Sequence, residues 1–557
     1  MPDYADSDLL LQRFYTHVNG RGDDVYLTQP HDGGQLTTYT FKQVFDQASR
    51  MAAHLKSLDL PAQSRIGIVS KNCAHFFMAE LAIWMSGHTT VALYPTLAES
   101  TVKYILEHSE AKLMFVGKLD TWDELKKGVP DDLKCISLPL APKTDFDSWQ
   151  SIVDSSEPIE GQPVRDKDDF SLVIYTSGST GTPKGVLHSF YTLSAPTKEL
   201  ARSLGVTKED RLLSYLPLAH SMDRWLSFCL STYTGCQIYF AEELKTFVKD
   251  LGRARPTLFV SVPRLWLKFQ LGIFNKMPPG RLKFMQMIPF LGPWINNKIK
   301  TGLGLQDVRF AGSGSAPIPA ELLEWYRDLG LEVLEGYGMS ENFNFSHMTR
   351  PGEGRPGYIG HPHGGVEHRI SDAGEIQVKS PGNMIGYLKA PELTKDAFTE
   401  DGWLKTGDRG EIDESGRLRI TGRVKELFKT SKGKYVSPAP IENIINNNPN
   451  VELSLVAGSG HPTTHVIIQV AEDMLPKLSD QAVKDKLTSD MQALLKSTNG
   501  AIEEFEKIGF IVVAKDRWTI EDGQLTPTMK IKRTSIEELY AAKLDGWYES
   551  GDKVIWE

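Results

Sequence analysis

The residues with the greatest potential for chemistry lie in the stretch 175–185, which reads YTSGSTGTPKG. Its three glycines let the backbone approach a ligand closely, and its hydroxyl side chains stand beside main-chain N–H groups and a lysine. These groups suit a cradle for a polyphosphate, with Thr176, Ser177, Gly178, Ser179, Thr180, Gly181, Thr182 and Lys184 as candidate contacts. The P-loop of nucleotide-hydrolysing folds is excluded, because Pro183 and Gly185 flank the lysine in place of a Gly-Lys-Ser/Thr ending. The alternative is an ordinary Gly/Ser surface turn.

Three later segments combine small residues with a ring or a charge. Residues 310–320 (FAGSGSAPIPA) end a predicted strand and let the backbone approach a flat ring. Residues 336–341 (GYGMSE) pair Tyr337 with the carboxylate of Glu341, and residues 406–408 (TGD) precede GRVKE at 422–426. Asp408 can accept two hydrogen bonds with its two oxygens, and Arg423 offers a planar donor fork. Each segment alone is a weak signal, since a Tyr-Gly turn and a bare TGD are both common.

Two single side chains depend on their surrounding motifs. His220 lies in residues 214–225 (SYLPLAHSMDRW), where a lone histidine is ordinarily a core or capping residue. Lys530 lies in residues 524–533 (QLTPTMKIKR), and a lysine near the end of a chain is ordinarily exposed and idle. The sequence shows no convincing Ser-His-Asp or Cys-His set and no metal-ligand cluster. We therefore expect neither a covalent nucleophile nor a structural zinc site.

In this order, the segments are similar to the motifs of adenylate-forming enzymes, the superfamily of acyl-CoA synthetases, luciferases and nonribosomal adenylation domains. Residues 214–225, 255–269 (RPTLFVSVPRLWLKF) and 428–442 (FKTSKGKYVSPAPIE) resemble the long-chain fatty acyl-CoA synthetases in particular. The resemblance extends from about residue 40 to residue 545. It implies that a long-chain fatty acid is activated by ATP to an acyl-adenylate and transferred to CoA. The products are acyl-CoA, AMP and pyrophosphate, and the metal is Mg²⁺.

The resemblance also implies roles for residues of the nucleotide site. Thr176 and Glu341 lie at Mg²⁺, which prefers one carboxylate together with substrate phosphates. Tyr337 stacks on adenine, while Asp408 and Arg423 bind the ribose hydroxyls. The remaining ATP or AMP contacts implied are Gly314, Ser315, Ala316, Glu335, Gly336, Gly338 and Ser340.

Further roles follow from the same resemblance. His220 gates the carboxylate site, and Lys530 enters it to stabilise charge on the carboxylate and the α-phosphate. Lys425 is the hinge residue about which the C-terminal domain turns between the two half-reactions. With Thr176 and Glu341, His220 and Lys530 make up the expected catalytic set. The implied contacts of the CoA pantetheine are Lys432, Gly433 and Lys434.

The elements that must position these residues are visible as hydrophobic patterns. A Thr40-x-x-Gln43 capping box followed by apolar residues at helical spacing predicts an amphipathic helix. Strands at 65–69, 89–93 and 112–116 alternate with helices at 74–85 and after residue 100, which predicts parallel βαβ units. The apolar run 170–175 predicts a buried strand before the phosphate loop. Later elements are two strands in 410–420, a hairpin at 451–470, a helix at 480–497 and a strand at 510–513.

The expected fold is α/β with two domains of unequal size. A large N-terminal adenylation domain, residues 1–422, has layered α/β subdomains with a β-barrel-like part. Residues 423–425 form the hinge, and residues 426–557 form a small mobile C-terminal α/β domain. A chain of 557 residues is too long for one core and suits two to four domains.

Composition excludes several classes of protein. The chain is 40% hydrophobic and 24% charged, as in ordinary globular proteins, and its net charge of −9 argues against a nucleic-acid partner. Its four cysteines are dispersed without a C-x-x-C pair, so we expect reduced thiols. The acidic start lacks the features of a signal peptide, and no run approaches the ~20 apolar residues of a membrane span. The expected location is therefore the cytoplasm, with contact at the inner face of a membrane left open.

Several alternatives stay open at this level. Residues 255–269 are interpreted both as a wall of the acyl tunnel and as an ordinary strand and helix of the core. Residues 272–304, rich in Met, Phe, Pro and Trp with interspersed cations, suit either a packed helical insertion or a membrane-contacting surface. A medium-chain or aryl acid–CoA ligase, an acyl-AMP ligase and a non-catalytic acyl- or nucleotide-binding protein are the competing functions. The sequence leaves open the acyl chain length and a homodimer.

Overall fold

The computed structural model describes residues 5–177, 182–526 and 528–557. Its strands are β1 Val25–His31, β2 Gln35–Thr40, β3 Arg65–Val69, β4 Thr89–Leu93, β5 Leu113–Val116, β6 Lys134–Ser137, β7 Asp147–Ser148, β8 Phe170–Ser177, β9 Pro183–Ser189, β10 Arg211–Ser214, β11 Gln237–Phe240, β12 Leu258–Ser261, β13 Phe310–Ser313, β14 Val333–Tyr337, β15 His347–Met348, β16 His361–Pro362, β17 Glu367–Ile370, β18 Glu375–Lys379, β19 Gly386–Tyr387, β20 Leu404–Ile412, β21 Leu418–Arg423, β22 Phe428–Lys429, β23 Tyr435–Val436, β24 Val451–Ala457, β25 Thr464–Val470, β26 Ile508–Val513 and β27 Val554–Trp556.

The α-helices of the same residues are α1 Leu10–Arg21, α2 Phe41–Ser57, α3 Ala74–Met85, α4 Glu99–Ser109, α5 Trp122–Leu125, α6 Trp149–Ser155, α7 Phe190–Leu204, α8 Ser221–Asp223, α9 Leu230–Thr234, α10 Phe247–Ala254, α11 Pro263–Phe274, α12 Pro279–Gln286, α13 Leu291–Leu303, α14 Ala320–Asp328, α15 Pro391–Ala397, α16 Pro438–Asn446, α17 Gln481–Ala501, α18 Arg533–Tyr540 and α19 Leu544–Ser550. A π-helical segment, Arg224–Cys229, joins α8 to α9. None of the helices that the structure describes is both long enough and apolar enough to cross a bilayer.

An eight-stranded sheet dominates the N-terminal part, in the order β19-β9-β8-β4-β3-β5-β6-β7. Its strands from β3 to β8 run parallel, which confirms the predicted βαβ units. Helix α2 begins as the capping box predicts, because the Thr40 side chain accepts a hydrogen bond from the Gln43 N–H. Helix α3 is buried along its whole length, as expected of a crossover helix covered on all sides.

Two further sheets bring strand ends toward the first. In one, β12, β13 and β14 run parallel and continue into the antiparallel β15 and β16. In the other, β10, β11 and β1 run parallel and β2 pairs antiparallel with β1. Parallel strands end at a common edge, so the segments after β10, β13 and β14 can face one another.

The fourth sheet, β17-β18-β20-β21, is antiparallel throughout. Strands β20 and β21 flank the predicted turn and extend beyond the predicted limits of 410–420. Strand β21 ends at Arg423, the first residue of the predicted hinge.

The C-terminal part is built on one four-stranded sheet, β24-β25-β26-β27. The antiparallel pair β24–β25 confirms the predicted hairpin, and α17 and β26 match the predicted helix and strand. Alternate residues of the sheet serve two separate cores: Val466 and Ile468 pack with α16 and α17, whereas Ile467 packs with Trp518 and α18. This period of two is the pattern expected of a sheet covered on both faces.

Candidate active site

The phosphate-loop candidate is the connection of an antiparallel hairpin. Strand β8 runs two residues beyond its predicted end and carries Thr176 directly opposite Lys184 of β9. Threonine is well accommodated in a strand, which explains why hydrophobicity alone ended the prediction too early. Gly178, Ser179, Thr180 and Gly181, together with the side chain of Ser177, lie outside the described residues. Thr182, at the start of the second arm, is exposed.

Glu341 lies beside this hairpin, in a short turn after β14. Its Oε1 accepts a hydrogen bond of 2.9 Å from the Tyr387 hydroxyl, and the Lys184 Nζ lies 5.3 Å from the centre of the Tyr387 ring. Burial raises the pKa of Glu341, while Tyr387 and the charges of Lys184 and Arg423 oppose the rise. A cation that replaced the lost water would keep this carboxylate ionised. Tyr387 was not anticipated, because its contact with Glu341 joins segments 46 residues apart.

Asp408, Arg423 and Tyr337 form a second polar group. The ladder of β20 and β21 places Asp408 opposite Arg423, whose Nε lies 3.0 Å from Oδ1. Tyr337, the last residue of β14, donates a 2.6 Å hydrogen bond to the other carboxylate oxygen. Sequence reasoning expected both oxygens of Asp408 to face ribose hydroxyls. In the structure each already has a protein partner, so a ribose would use the remaining lone pairs.

Small residues line the space between these groups. A Cβ added to Gly336 would meet only the Ser313 carbonyl, at 3.9 Å, whereas one added to Gly338 would lie 2.4 Å from the Asn344 backbone. Gly336 therefore leaves room for a ligand, and Gly338 is required by close packing. The segment Gly314, Ser315 and Ala316 follows β13, and Ser340 begins the turn that carries Glu341.

Glu335 points to a different place from its neighbours in sequence. Its carboxylate lines a small cavity with Arg327, Thr349 and Arg355, and burial raises its pKa to about 7. Tyr337, two residues further along β14, bonds instead to Asp408. A nucleotide contact of Glu335 therefore stays a prediction, and the structure gives its carboxylate other neighbours.

His220 occupies the N-cap of α8, after β10. Its Nδ1 accepts a 3.0 Å hydrogen bond from the Met222 N–H, so the neutral ring carries its proton on Nε2. Burial and then the charge of Lys530 lower the pKa of His220 to about 4. The ring is thus a neutral hydrogen-bond donor near pH 7. The capping role and the predicted site role are both compatible with this geometry.

A buried polar network fixes the segment after His220. Asp223 accepts hydrogen bonds of 2.7–2.8 Å from the side chains of Asn72, Ser214 and Ser227. The next residue, Arg224, forms an ion pair with Glu80 in which both side chains are fully buried. Asp223 ends α8 and Arg224 begins the π-helical segment, and the two successive residues face different partners. Sequence reasoning noted the Asp-Arg pair but could not identify Asn72 or Glu80 as its partners.

Lys530 reaches the same site from the C-terminal part. Lys530 lies in a narrow loop that is closed by the Leu525–Ile531 bridge. The main-chain N–H of Lys530 donates a 3.1 Å hydrogen bond to the Thr526 hydroxyl. Burial and the nearby Arg423 charge lower the pKa of Lys530, while Asp408 and Glu426 oppose that shift. The electrostatic link of Lys530 with His220 and Arg423 brings together residues from three motifs. Pro527, inside this loop, lies outside the described residues.

One ion pair helps to hold the C-terminal part in this position. Arg264 of α11 lies 2.5 Å from the Glu452 carboxylate and donates a 2.9 Å hydrogen bond to the Val451 carbonyl. These two partners belong to the start of β24. No motif signalled the contact, because its residues are 188 positions apart in sequence.

The predicted hinge and CoA residues are exposed. Lys425 is exposed in the turn between β21 and β22. Lys432, Gly433 and Lys434 form the exposed tip of the β22–β23 hairpin, where Gly433 has φ +80°. The main-chain hydrogen bonds of this tip run to Thr430, and Ser431 bonds to His461, all within the C-terminal part. Their roles stay predictions.

Comparison with known proteins shows the family of the chain. The family described as AMP-binding enzyme matches residues 14–388, and the AMP-binding enzyme C-terminal domain matches residues 426–552. A long-chain-fatty-acid–CoA ligase from Mycobacterium bovis is 29% identical, with 92% of this chain and 93% of the relative covered. Long-chain-fatty-acid–CoA ligase 5 from Mus musculus is 26% identical, with coverage of 98% and 89%.

Solved structures share the same architecture. The adenylation domain of a carboxylate reductase from Mycobacterium chelonae has a TM-score of 0.79 at 21% identity, covering 99% of this chain and 92% of that one. An anthranilate CoA ligase in complex with anthranoyl-AMP has a TM-score of 0.77 at 19% identity, covering 98% and 100%. At these identities the likeness concerns the fold. The chain therefore belongs to the AMP-binding enzymes of the adenylate-forming superfamily.

Proposed function

We propose that this enzyme activates a long-chain fatty acid with ATP and transfers the acyl group to CoA. The observation that carries the proposal is the convergence of Lys530 with Asp408, Arg423 and His220. These side chains come from both parts of the chain, and their motifs match those of acyl-CoA synthetases. The two fatty-acid ligases with which the chain aligns over more than nine-tenths of its length support the choice of acid.

In the first half-reaction a carboxylate oxygen attacks the α-phosphorus, and the bond to the β,γ-pyrophosphate breaks. Negative charge accumulates at the phosphorus, so positioned cations and N–H donors stabilise the transition state. Lys530 supplies a cation from one side, and the Nε2–H of His220 donates a hydrogen bond near the acid. Asp408 and Arg423 hold the ribose and thereby fix the α-phosphate in place.

The donor set near the hairpin fits Mg²⁺. Glu341 offers a carboxylate beside Thr176 and Lys184, and the described residues contain no group of three or more acidic, histidine or cysteine side chains able to hold a metal by themselves. This composition suits an ion that takes most of its ligands from phosphates and water. Mg²⁺ held by Glu341 and Thr176 would neutralise phosphate charge during the displacement.

In the second half-reaction the CoA thiol attacks the acyl carbonyl, and AMP leaves with its bond to the acyl carbon broken. Lys530 would first withdraw with the C-terminal part, as the resemblance implies. An exposed turn at Lys425 is suited to that movement, since rotation there breaks little packing. Lys432, Gly433 and Lys434 would then approach the pantetheine.

The acyl pocket is the least constrained part of the proposal. Strand β12 and helix α11 coincide with residues 255–269, the predicted tunnel wall, and Trp266 and Phe269 of this segment are buried. Burial of each methylene contributes about 0.8 kcal/mol, so tunnel depth sets the preferred chain length. Because an anthranilate CoA ligase is among the structural neighbours, an aryl acid is the second candidate substrate.

Pyrophosphate exchange with graded acids tests the proposal. The enzyme is incubated with ATP, Mg²⁺ and fatty acids of increasing length or with aryl acids, each with and without CoA. We expect exchange to rise with chain length beyond about ten carbons, and CoA to be consumed in equal amount to AMP formed. Exchange only with short or aryl acids would contradict the long-chain assignment. Exchange without CoA consumption would identify an acyl-AMP ligase, and no exchange with any acid would contradict enzymatic activation altogether.

A further inference from the structure

The helices α12 and α13 carry a basic and apolar surface that the activation reaction does not use. The segment 251–306 contains nine lysines and arginines and no aspartate or glutamate, in a chain with a net charge of −9. Three of these cations, Arg253, Arg255 and Arg264, form ion pairs with carboxylates outside the segment. Among the residues that the structure describes, the other six have no ion-pair partner: Lys268, Lys276, Arg281, Lys283, Lys298 and Lys300.

Large apolar side chains project from the same two helices. Phe290, in the connection between α12 and α13, is 92% exposed, and Met287 is 76% exposed. Phe284 at 66% and Trp294 at 57% stand on the helices to either side. Monomeric proteins seldom expose several large apolar residues together, so such a patch indicates a contact with another surface.

The helix pair is firmly attached to the fold beneath this patch. Leu282 and Ile295 are buried on its inner side, and Asn296 donates a 2.7 Å hydrogen bond to the Asp328 carbonyl. The sequence prediction of a packed helical insertion is therefore correct for the inner side. The exposed side chains form the opposite side and are displayed by a rigid support.

The backbone also presents Phe290 outward. Its φ of +66° lies in a region that favours glycine, yet the residue is a phenylalanine with almost no contact to the protein. Nearby, the Lys298 Nζ lies 4.9 Å from the centre of the Trp294 ring. A ring with a cation over its face has the dual character of side chains that lie at a boundary between water and hydrocarbon.

We propose that this surface, Phe284, Met287, Phe290 and Trp294 with the four unpaired cations of α12 and α13, docks the enzyme on a membrane that contains anionic lipids. The cations match the charge of the headgroups, and the apolar tips match the acyl region beneath them. A symmetric contact between two copies is disfavoured, because it would bring two sets of these cations together. The inference does not depend on which acid the enzyme activates.

Vesicle flotation of the full chain tests this docking. The wild type should bind vesicles of phosphatidylcholine mixed with phosphatidylglycerol more tightly than vesicles of phosphatidylcholine alone, and added salt should weaken the difference. The double variant Arg281→Gln and Lys283→Gln should lose about 25-fold in binding to the anionic vesicles, at ~5-fold per cation. The double variant Phe290→Ser and Trp294→Ser should lose at least about tenfold on both compositions.

Matched controls carry the same changes elsewhere on the surface. Leu244→Ser replaces an apolar residue that is 91% exposed, and the double variant Lys167→Gln and Lys496→Gln removes two exposed cations. Both controls should bind vesicles as the wild type does, and all variants should keep its thermal unfolding midpoint. Equal losses in controls and patch variants would overturn the proposal. Wild-type binding that does not depend on anionic lipid would also overturn the proposal. Patch variants that change only the oligomeric state would overturn it too, and would assign the surface to self-association.

Discussion

At the scale of single residues, the candidate site depends on how a few charges modify one another. Burial and then the cation of Lys530 lower the pKa of His220, and burial and then the charge of Arg423 lower the pKa of Lys530 itself. Asp408 opposes the second shift, as an adjacent anion should. ATP would add further negative charge here and thereby favour the protonated lysine.

The first prediction concerns Lys530. The Lys530→Ala variant should lose at least about a hundredfold in pyrophosphate exchange while its ATP affinity changes little, because the lysine acts on charge that develops during the displacement. Lys532→Gln is the matched control, since it removes a cation two positions away from the same loop. Exchange at the wild-type rate in Lys530→Ala would contradict the assigned role.

The second prediction concerns the protonation of His220. Its pKa of about 4 lies below the ordinary value of 6.5, so the ring remains neutral as the pH falls through about 6.5. The ratio of the wild-type exchange rate to that of His220→Gln should therefore be constant from about pH 8 to about pH 5.5, and fall only near the lowered pKa. Dividing the two profiles removes the titration of ATP and of the fatty acid. A step in the ratio near pH 6.5 would show an ordinary, solvated histidine.

Sequence could identify these residues only where a local motif exists. Asp408, Arg423, Glu341 and Lys530 were recognisable because each lies in a short pattern. Tyr387, which bonds to Glu341, carries no such pattern. Its role depends on the pairing of β19 with β9, which is a contact between distant segments.

At the scale of elements, the third prediction addresses the turn at Lys425. Proline fixes φ and restricts the residue before it, so Lys425→Pro should hinder reorientation of the C-terminal part. We expect thioester formation to slow by about tenfold or more, while pyrophosphate exchange is largely retained. The control Lys425→Ala keeps the backbone freedom and should retain both steps. If pyrophosphate exchange and thioester formation slowed equally in the proline variant, the hinge role of Lys425 would be contradicted.

The fourth prediction addresses the buried ion pair that supports the His220 segment. Glu80→Gln leaves the charge of Arg224 buried without a counter-ion, which should lower the free energy of unfolding by about 3–5 kcal/mol. Denaturant titration measures the change. The exposed pair of Asp123 with Lys126 is the control, and Asp123→Asn should cost less than about 1 kcal/mol. A similar small cost for Glu80→Gln would show that the pair does not stabilise this segment.

Element prediction succeeded where the hydrophobic period was regular. The alternation of β3, α3, β4 and α4 is readable because each element is buried on a defined face. The last residues of β8 were missed because they are hydroxyl-bearing residues that hydrophobicity does not assign to a strand. The partners of Asp223 and Arg224 have no local sequence signal, since Asn72 and Glu80 are distant in the chain.

At the scale of the whole molecule, the site lies where the strand ends of several sheets meet the C-terminal part. The end of β8 carries Thr176, and the segments after β10 and β14 carry His220 and Glu341. The loop with Lys530 adds the second part of the chain. This convergence explains why no single motif could define the site.

The most direct test follows one oxygen atom. The fatty acid is labelled with ¹⁸O in its carboxylate and incubated with the enzyme, ATP, Mg²⁺ and CoA, and the nucleotide product is analysed by mass spectrometry. Attack of the carboxylate on the α-phosphorus, followed by release of the acyl group to CoA, predicts one ¹⁸O atom in AMP and none in pyrophosphate. Unlabelled AMP, or label in inorganic phosphate with ADP as the nucleotide product, would contradict activation through an acyl-adenylate.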